Sequence, residues 1–346
     1  MANKVFGKMP DGKEIELIVL KNANGTEVQA IGYGARLVKV LTKDKNGNLG
    51  DVILGYNDLE SYFGMDFQGA VVGRFANRIS NSSFEIDGVK YLVGNKGEGF
   101  SKHTLHGGMT GYFARVFEAK EVTDNSVTFE YFSADGEEGF PGNCTVTVKY
   151  TLTDDDALEI DYTAVTDKKT PVNLTNHAFF NLNGNIDSHT RDTILWIDAD
   201  NILSSSDDLI PDGNLRSVDG TAFDFRVAKP IGQDIHADEH ILQVHNGYDQ
   251  SYVLNGEGFR KVAEAYEPVS GRNMEVYTDL PSMQLFTNNN AGRGTFYDNV
   301  PAQAQQGFCL ETQLCPDAPN RPEFKSCIVA PGEVFTTKTV YKFSVK

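Results

Sequence analysis

Two residues far apart in the chain, His177 and Glu311, carry side chains able to move protons near neutral pH. A free imidazole titrates near pH ~6.5 and a free glutamate near ~4.3, so one can act as acid while the other acts as base. His177 lies in the segment Pro171 to Asn181. If that segment is a strand, Val172, Leu174, Ala178 and Phe180 share one face. Asn173, Thr175, His177, Phe179 and Asn181 share the other. Hydrogen-bonding groups beside an aromatic ring suit a ligand with hydroxyls at its edge and C–H bonds on its faces. A solvated face without function is the plain alternative, and the segment alone does not decide. Glu311 lies in Gly307-Phe308-Cys309-Leu310-Glu311-Thr312-Gln313. Alternation turns Phe308, Leu310 and Thr312 to the core and Glu311 and Gln313 to the other side. Apolar flanks predict a carboxyl whose pKa is raised by desolvation. A surface glutamate on an edge strand is the competing reading.

Five further residues are candidates for holding a ligand. His106 precedes Gly107 and Gly108, and paired glycines let the backbone turn sharply or approach a ligand closely. Asn77 and Arg78 end the run Gly73-Arg74-Phe75-Ala76-Asn77-Arg78-Ile79. Asp249 follows Gly247-Tyr248, and Gln284 stands in Ser282-Met283-Gln284-Leu285. Each can anchor a hydroxyl, and each can equally serve as a solvated or capping residue.

Metal and cofactor chemistry find little support. His103 and His106 are three apart, and His236 and His240 have the spacing of one helix face but lack an H-E-x-x-H arrangement. Gly32-Tyr33-Gly34 is not followed by the helix that a dinucleotide fold requires. The expectation is no metal and no cofactor. Cys144, Cys309, Cys315 and Cys327 form no C-x-x-C pair, and read as free, buried thiols in a reducing compartment.

The elements that must position these groups are strands. Period-two alternation dominates: Val127, Phe129 and Tyr131; Val146, Val148, Tyr150 and Leu152; Leu158, Ile160, Tyr162 and Ala164. Phe84 to Val93 around Asp87-Gly88 reads as a hairpin. Ile15 to Leu20 leads into the turn Asn24-Gly25, and Glu333 to Val345 reads as a final strand. Short helical turns fit Asp58 to Tyr62 and Asp317 to Asn320, but no βαβ rhythm appears. The 33 glycines and the Asn/Asp turns fit an antiparallel meander. The expectation is an all-β fold, one large antiparallel β-sandwich spanning residues 1–346 as a single domain.

The net charge of −17 would repel a nucleic-acid backbone or an anionic membrane surface, and argues more weakly against phosphorylated substrates. No run of about 18 apolar residues predicts a membrane span. No apolar segment after Met1 to Asp11 predicts a secretion signal, so the cytoplasm is the expected location.

Taken in order, the landmarks resemble the aldose 1-epimerase (galactose mutarotase) family. They are Gly73 to Ile79, Leu105-His106-Gly107-Gly108, Asn173 to Leu182, Gly247-Tyr248-Asp249, Glu311-Thr312-Gln313, Pro316-Asp317-Ala318-Pro319-Asn320 and Pro331-Gly332-Glu333. The strings around His177 and after Glu311 are the specific ones. The resemblance implies a galactose mutarotase-like supersandwich with its site in a wide cleft on one sheet. It implies Glu311 as general base, His177 as general acid, and His106, Arg78, Asn77, Asp249 and Gln284 as sugar-binding residues. It implies interconversion of the α and β anomers of free hexoses such as galactose and glucose, by a monomer or homodimer whose only ligand is a monosaccharide. The chain departs from the family at Gln250, at Leu314-Cys315, and in lacking a tryptophan between Gly111 and Phe117. These departures bear on substrate preference. Two other readings compete: a hexose-6-phosphate 1-epimerase, which needs a basic cluster, and a carbohydrate-binding β-sandwich without catalysis.

Overall fold

The structure is a computed structural model, and describes residues 4–94, 102–290 and 294–346. It is built almost wholly of strands in three large antiparallel sheets. The first five-stranded sheet takes Lys4–Lys8, Glu14–Lys21, Glu27–Ile31, Arg36–Lys43 and Leu49–Asp51 in sequence order. A nine-stranded sheet begins with Glu118–Val122, Ser126–Ser133, Cys144–Leu152 and Ala157–Thr166 as a meander. The C-terminal strand Val334–Val345 then pairs with Ala157–Thr166, and Arg272–Thr278, Arg260–Tyr266, Ile194–Ile197 and Lys229–Pro230 follow. A second five-stranded sheet runs Pro211–Ser217, Asn201–Ser205, Asp249–Val253, Ser282–Phe286 and Cys309–Gln313.

The meander follows the alternation in the sequence. In Cys144–Leu152, Val146, Val148, Tyr150 and Leu152 are buried while Thr147 and Lys149 face outward. The hairpin at Asp87-Gly88 joins Ser83–Ile86 to Val89–Leu92. Short 3₁₀ turns occupy Glu60–Tyr62 and Ala318–Asn320. One hydrophobic cluster reaches through all three sheets, from Ile18 and Leu20, through Val148 and Ile160, to Leu285 and Leu310. The last two sheets are also stitched by polar contacts: Tyr341 donates to the Leu310 carbonyl at 3.0 Å, and the Thr312 and Thr339 hydroxyls lie 2.5 Å apart.

The segment Pro171 to Asn181 is not the continuous strand its alternation suggests. Its two-residue ladders, Thr170–Pro171 and Thr175–Asn176, pair with Ile328–Val329 and Val71–Val72, and isolated bridges link Asn173 to Phe75 and Phe180 to Ile53 and Phe308. Both sides of the segment are buried, including Asn173, Thr175, His177 and Asn181. Polar side chains survive there where they find fixed partners: Asn173 Nδ2 donates to the Ala76 and Leu314 carbonyls, and Asn181 Nδ2 donates to the Gln306 carbonyl.

Candidate active site

Strand register assembles one side of the site. Ser251 pairs with Gln284, and Gln284 pairs with Glu311, so the three stand in a row across the second five-stranded sheet. Asp249, two residues before Ser251, shares that face, as does Cys309, two residues before Glu311. The opposite face carries Leu285 and Leu310 into the core. Cys309–Gln313 is an edge strand in its sheet, yet every residue in it is buried, because Phe308 bridges to Phe180 and other segments cover it. The edge position therefore does not expose Glu311, which is 2% exposed.

The other side comes from two loops and a short ladder. Arg78–Ile79 pairs with Thr104–Leu105, which brings Asn77 and Arg78 beside His106. Asn77 and His106 both adopt left-handed backbone, at φ 62° and 50°. They are locked together reciprocally: the His106 backbone N–H donates to the Asn77 carbonyl, and the Asn77 backbone N–H donates to His106 Nδ1, both at 3.1 Å. Gly107, at φ 87°, is required here, since a Cβ on it would lie 1.9 Å from the Gly73 carbonyl oxygen.

All seven sequence candidates meet. Asn77 Nδ2 donates to Gln284 Oε1 at 3.2 Å, Gln284 Nε2 donates to Asp249 Oδ1 at 2.6 Å, and Arg78 lies 3.8 Å from Asp249 Oδ2. His177 Nε2 lies 3.5 Å from Glu311 Oε1, and the rings of His106 and His177 are 5.1 Å apart at 81°. Glu311 Oε2 is buried without a hydrogen-bond partner. A solvent-reachable cavity of about 320 Å³, lined by Met65, Arg78, His103, Asp207, Asp208 and His245, meets this network at Arg78. His177 and Glu311 lie deeper and do not line it.

Burial sets the proton affinities. Desolvation raises Glu311 well above the ordinary carboxylate range, the charge of Asp249 adds to this, and Arg78 opposes it. Desolvation lowers His177 to about 4, a hydrogen bond to its own backbone carbonyl offsets part of this, and Arg36 lowers it further. Burial, His177 and Arg78 together hold His106 well below its usual value. The raised Glu311 agrees with its apolar flanks, whereas the role of general acid would favour a protonated His177. In the sugar-free protein burial pushes both groups, 3.5 Å apart, toward their neutral forms.

One donor atom from each of His106, His177 and Glu311 lies within 4.8 Å of the others, a spacing that invites a metal. The hydrogen bonds argue against one. His106 Nδ1 accepts the Asn77 N–H, so the neutral ring carries its proton on Nε2 and presents a donor to the site. A ligating histidine needs the reverse, with its second nitrogen donating outward. His236 and His240 share no helix face, since the helix begins at His240.

Three groups in the site escaped the sequence reading. Phe67 packs edge-on to His106 at 4.8 Å and stacks on His177 at 5.5 Å, from a loop with no periodicity to announce it. Cys309 Sγ lies 3.5 Å from His177 Nδ1, and its i−2 relation to Glu311 was the available signal. The cavity rim residues Asp207 and Asp208 sit in a turn with no motif.

A β-supersandwich with a carboxyl–imidazole pair buried behind a surface cavity, ringed by polar side chains and aromatic rings, is the architecture of a sugar-converting enzyme. The chain belongs to the aldose 1-epimerase family, whose profile matches residues 16–342. It is an isomerase of that family. It is 40% identical to the galactose mutarotase of Bos taurus, over 99% of this chain and 98% of that protein. It is 36% identical to the aldose 1-epimerase of Escherichia coli K12, over 99% of each chain. The crystal structure of galactose 1-epimerase from Lactobacillus acidophilus superposes with a TM-score of 0.85 at 28% identity, covering 99% of this chain and 98% of that one.

Proposed function

We propose that the protein interconverts the α and β anomers of free hexoses, galactose and glucose among them, with Glu311 and His177 exchanging protons with the sugar. The observation that carries this is the 3.5 Å separation of His177 Nε2 and Glu311 Oε1, together with the unpartnered Oε2. Mutarotation removes a proton from the C1 hydroxyl and adds one to the ring oxygen. Both oxygens hang on the same carbon, so two groups this close serve both.

A C1 hydroxyl donating to Glu311 Oε2 supplies the hydrogen bond that the carboxylate lacks, and favours the form with the proton on His177. Glu311 then takes the C1 hydroxyl proton as general base, and His177 protonates the ring oxygen. The C1–O5 bond opens, the C1–C2 bond rotates, and the ring recloses with the roles exchanged. Each transfer is worth about 10²–10⁴-fold. His106, through its Nε2–H, and Arg78, Asn77, Asp249 and Gln284 hold the hydroxyls, so that little orientation is lost in each step. Phe67 and Phe179, which flank His177, offer flat apolar surface to the C–H faces of the ring.

A phosphorylated hexose fits less well, since Arg78 is engaged with Asp249 and the cavity rim carries Asp207 and Asp208. The four cysteines are unpaired and buried, which supports a cytoplasmic location, and no described helix is long and apolar enough to cross a membrane. The shared core of the three sheets supports a single domain, and a monomer or homodimer is the proposed assembly.

Polarimetry on freshly dissolved α-D-galactose, α-D-glucose and α-D-glucose 6-phosphate tests the reading. Acceleration of the two free sugars is expected. Acceleration of the phosphorylated sugar alone, or tight galactose binding with an unchanged rate, overturns it.

A further inference from the structure

The contact that no sugar-binding role explains is the one behind His177. Cys309 is fully buried, and its sulfur faces Nδ1 at 3.5 Å, within hydrogen-bond range for sulfur, on the side of the ring away from Nε2. The strand places it there by register: Cys309 and Glu311 are two residues apart on one face, so a single strand meets both nitrogens of one imidazole. As the acid that protonates the ring oxygen, His177 carries hydrogen on both nitrogens, and as a neutral ring facing a protonated Glu311 it carries its hydrogen on Nδ1. In both states Nδ1–H needs an acceptor; the Cys309 sulfur faces it at 3.5 Å, and His177's own backbone carbonyl is a second acceptor near the ring.

We propose that Cys309 is a positioning residue whose sulfur accepts the Nδ1–H of His177, fixing the ring so that Nε2 is the nitrogen that trades protons with Glu311 and the sugar. The proposal rests on the role given above to the pair. The arrangement has the logic of a base held by a third group, with a neutral sulfur where a carboxylate often stands. The difference has a consequence. A carboxylate behind His177 would raise its basicity and hold the proton there, whereas a weak neutral acceptor orients the ring and leaves the proton free to move to Glu311 and back.

The other groups facing the ring are Glu311 at Nε2, the neutral His106, the backbone carbonyl of His177, the charge of Arg36, and the rings of Phe67, Phe179 and Phe286. None of the three phenylalanines can accept at Nδ1 as a lone-pair donor would.

Three variants and one spectroscopic readout test this. Cys309→Ala is expected to lower kcat about tenfold, the rate equivalent of one modest hydrogen bond, with KM changed less than about twofold. Cys309→Ser, whose hydroxyl accepts, is expected to recover most of that loss. Cys309→Asp is expected to move the acid limb of the pH–rate profile upward by about one unit or more, as a carboxylate beside an imidazole does. Nitrogen-15 NMR of the sugar-free protein, with His177 assigned by the signal lost in His177→Asn, is expected to show protonated Nδ1 and bare Nε2. An Nε2–H tautomer, or Cys309→Ala with unaltered kcat and pH profile, overturns the proposal. Because the tautomer is read without sugar, a protein that showed it yet failed to accelerate mutarotation would refute the proposed function and leave the positioning role standing.

Discussion

Replacing Glu311 by Gln separates what the carboxyl does for the reaction from what it does for the fold. The change keeps the side chain's shape and removes its only exchangeable acid proton. Each of the two proton transfers is worth about 10²–10⁴-fold, so the variant should lose about 2.7–5.4 kcal/mol of transition-state stabilisation at about 1.36 kcal/mol per decade. Stability should move the other way. The folded pKa of Glu311 is raised above its unfolded value, chiefly by desolvation. The folded state therefore binds this proton more tightly, and the associated stability is present at low pH and lost as pH rises past the unfolded value. The substituted amide would not ionise and would not suffer that loss. The expected result is a mutarotation rate, followed by polarimetry on α-D-galactose, reduced at least about 100-fold. The melting temperature should match the wild type at pH 4 and equal or exceed it at pH 8. A variant keeping more than about a tenth of the activity would place the base elsewhere. A variant less stable at pH 8 than at pH 4, relative to wild type, would show that the charged form is the one the fold supports.

Other outcomes follow from the same geometry. In Asp249→Asn, the charge that helps raise Glu311 is gone and Arg78 loses its partner, so both changes lower the Glu311 pKa; the alkaline limb of the pH–rate profile should shift to lower pH. Asp51 is buried, and desolvation raises its pKa from 3.8 to about 6 despite hydrogen bonds from Tyr297 and the Val40 and Ile53 amides. That difference of about two units corresponds to about 3 kcal/mol of stability, present below pH ~4 and lost as pH rises through ~6. Asp51→Asn should accordingly raise the melting temperature at pH 8 and leave it nearly unchanged at pH 4. Gly107→Ala must move the Gly73 carbonyl and adopt a strained φ, so thermal denaturation should show a loss of about 1–3 kcal/mol, with galactose binding weakened through His106. Phe180→Ala, in the core between Phe308 and Tyr341, should cost about 3–5 kcal/mol, read from the shift of the denaturant midpoint.

The meander was legible because each of its strands has one face in the core and one in water. Thr147 and Lys149 can alternate with Val146 and Val148 only on such a strand. The site strands obey no such rule. Ser282–Phe286 and Cys309–Gln313 are buried on both faces, so polar and apolar residues there are sorted by partner and not by solvent. The alternation around Glu311 still gave the right face, with Leu310 and Thr312 to the core, but misjudged what covered it. The alternation around His177 suggested one strand where the chain makes two short ladders and isolated bridges, because its backbone changes partner from residue to residue. Proton affinities were legible only in part. The apolar flanks of Glu311 announced its raised pKa, but the lowered His177 depends on burial by distant parts of the chain, which local sequence does not report. Phe67 had no signal at all, since a loop residue that packs on two histidines looks like any loop phenylalanine.

The orphan oxygen of Glu311 sets a constraint on how the turnover must run. An axial and an equatorial anomeric hydroxyl point in different directions from the same ring, yet the acceptor that Glu311 leaves unengaged is one oxygen, on a carboxyl held in an edge strand paired to Ser282–Phe286. A rigid acceptor cannot follow the hydroxyl from one orientation to the other. The motion must belong to the sugar: the opened aldehyde swings about its own carbon–carbon bond while its remaining hydroxyls stay tethered.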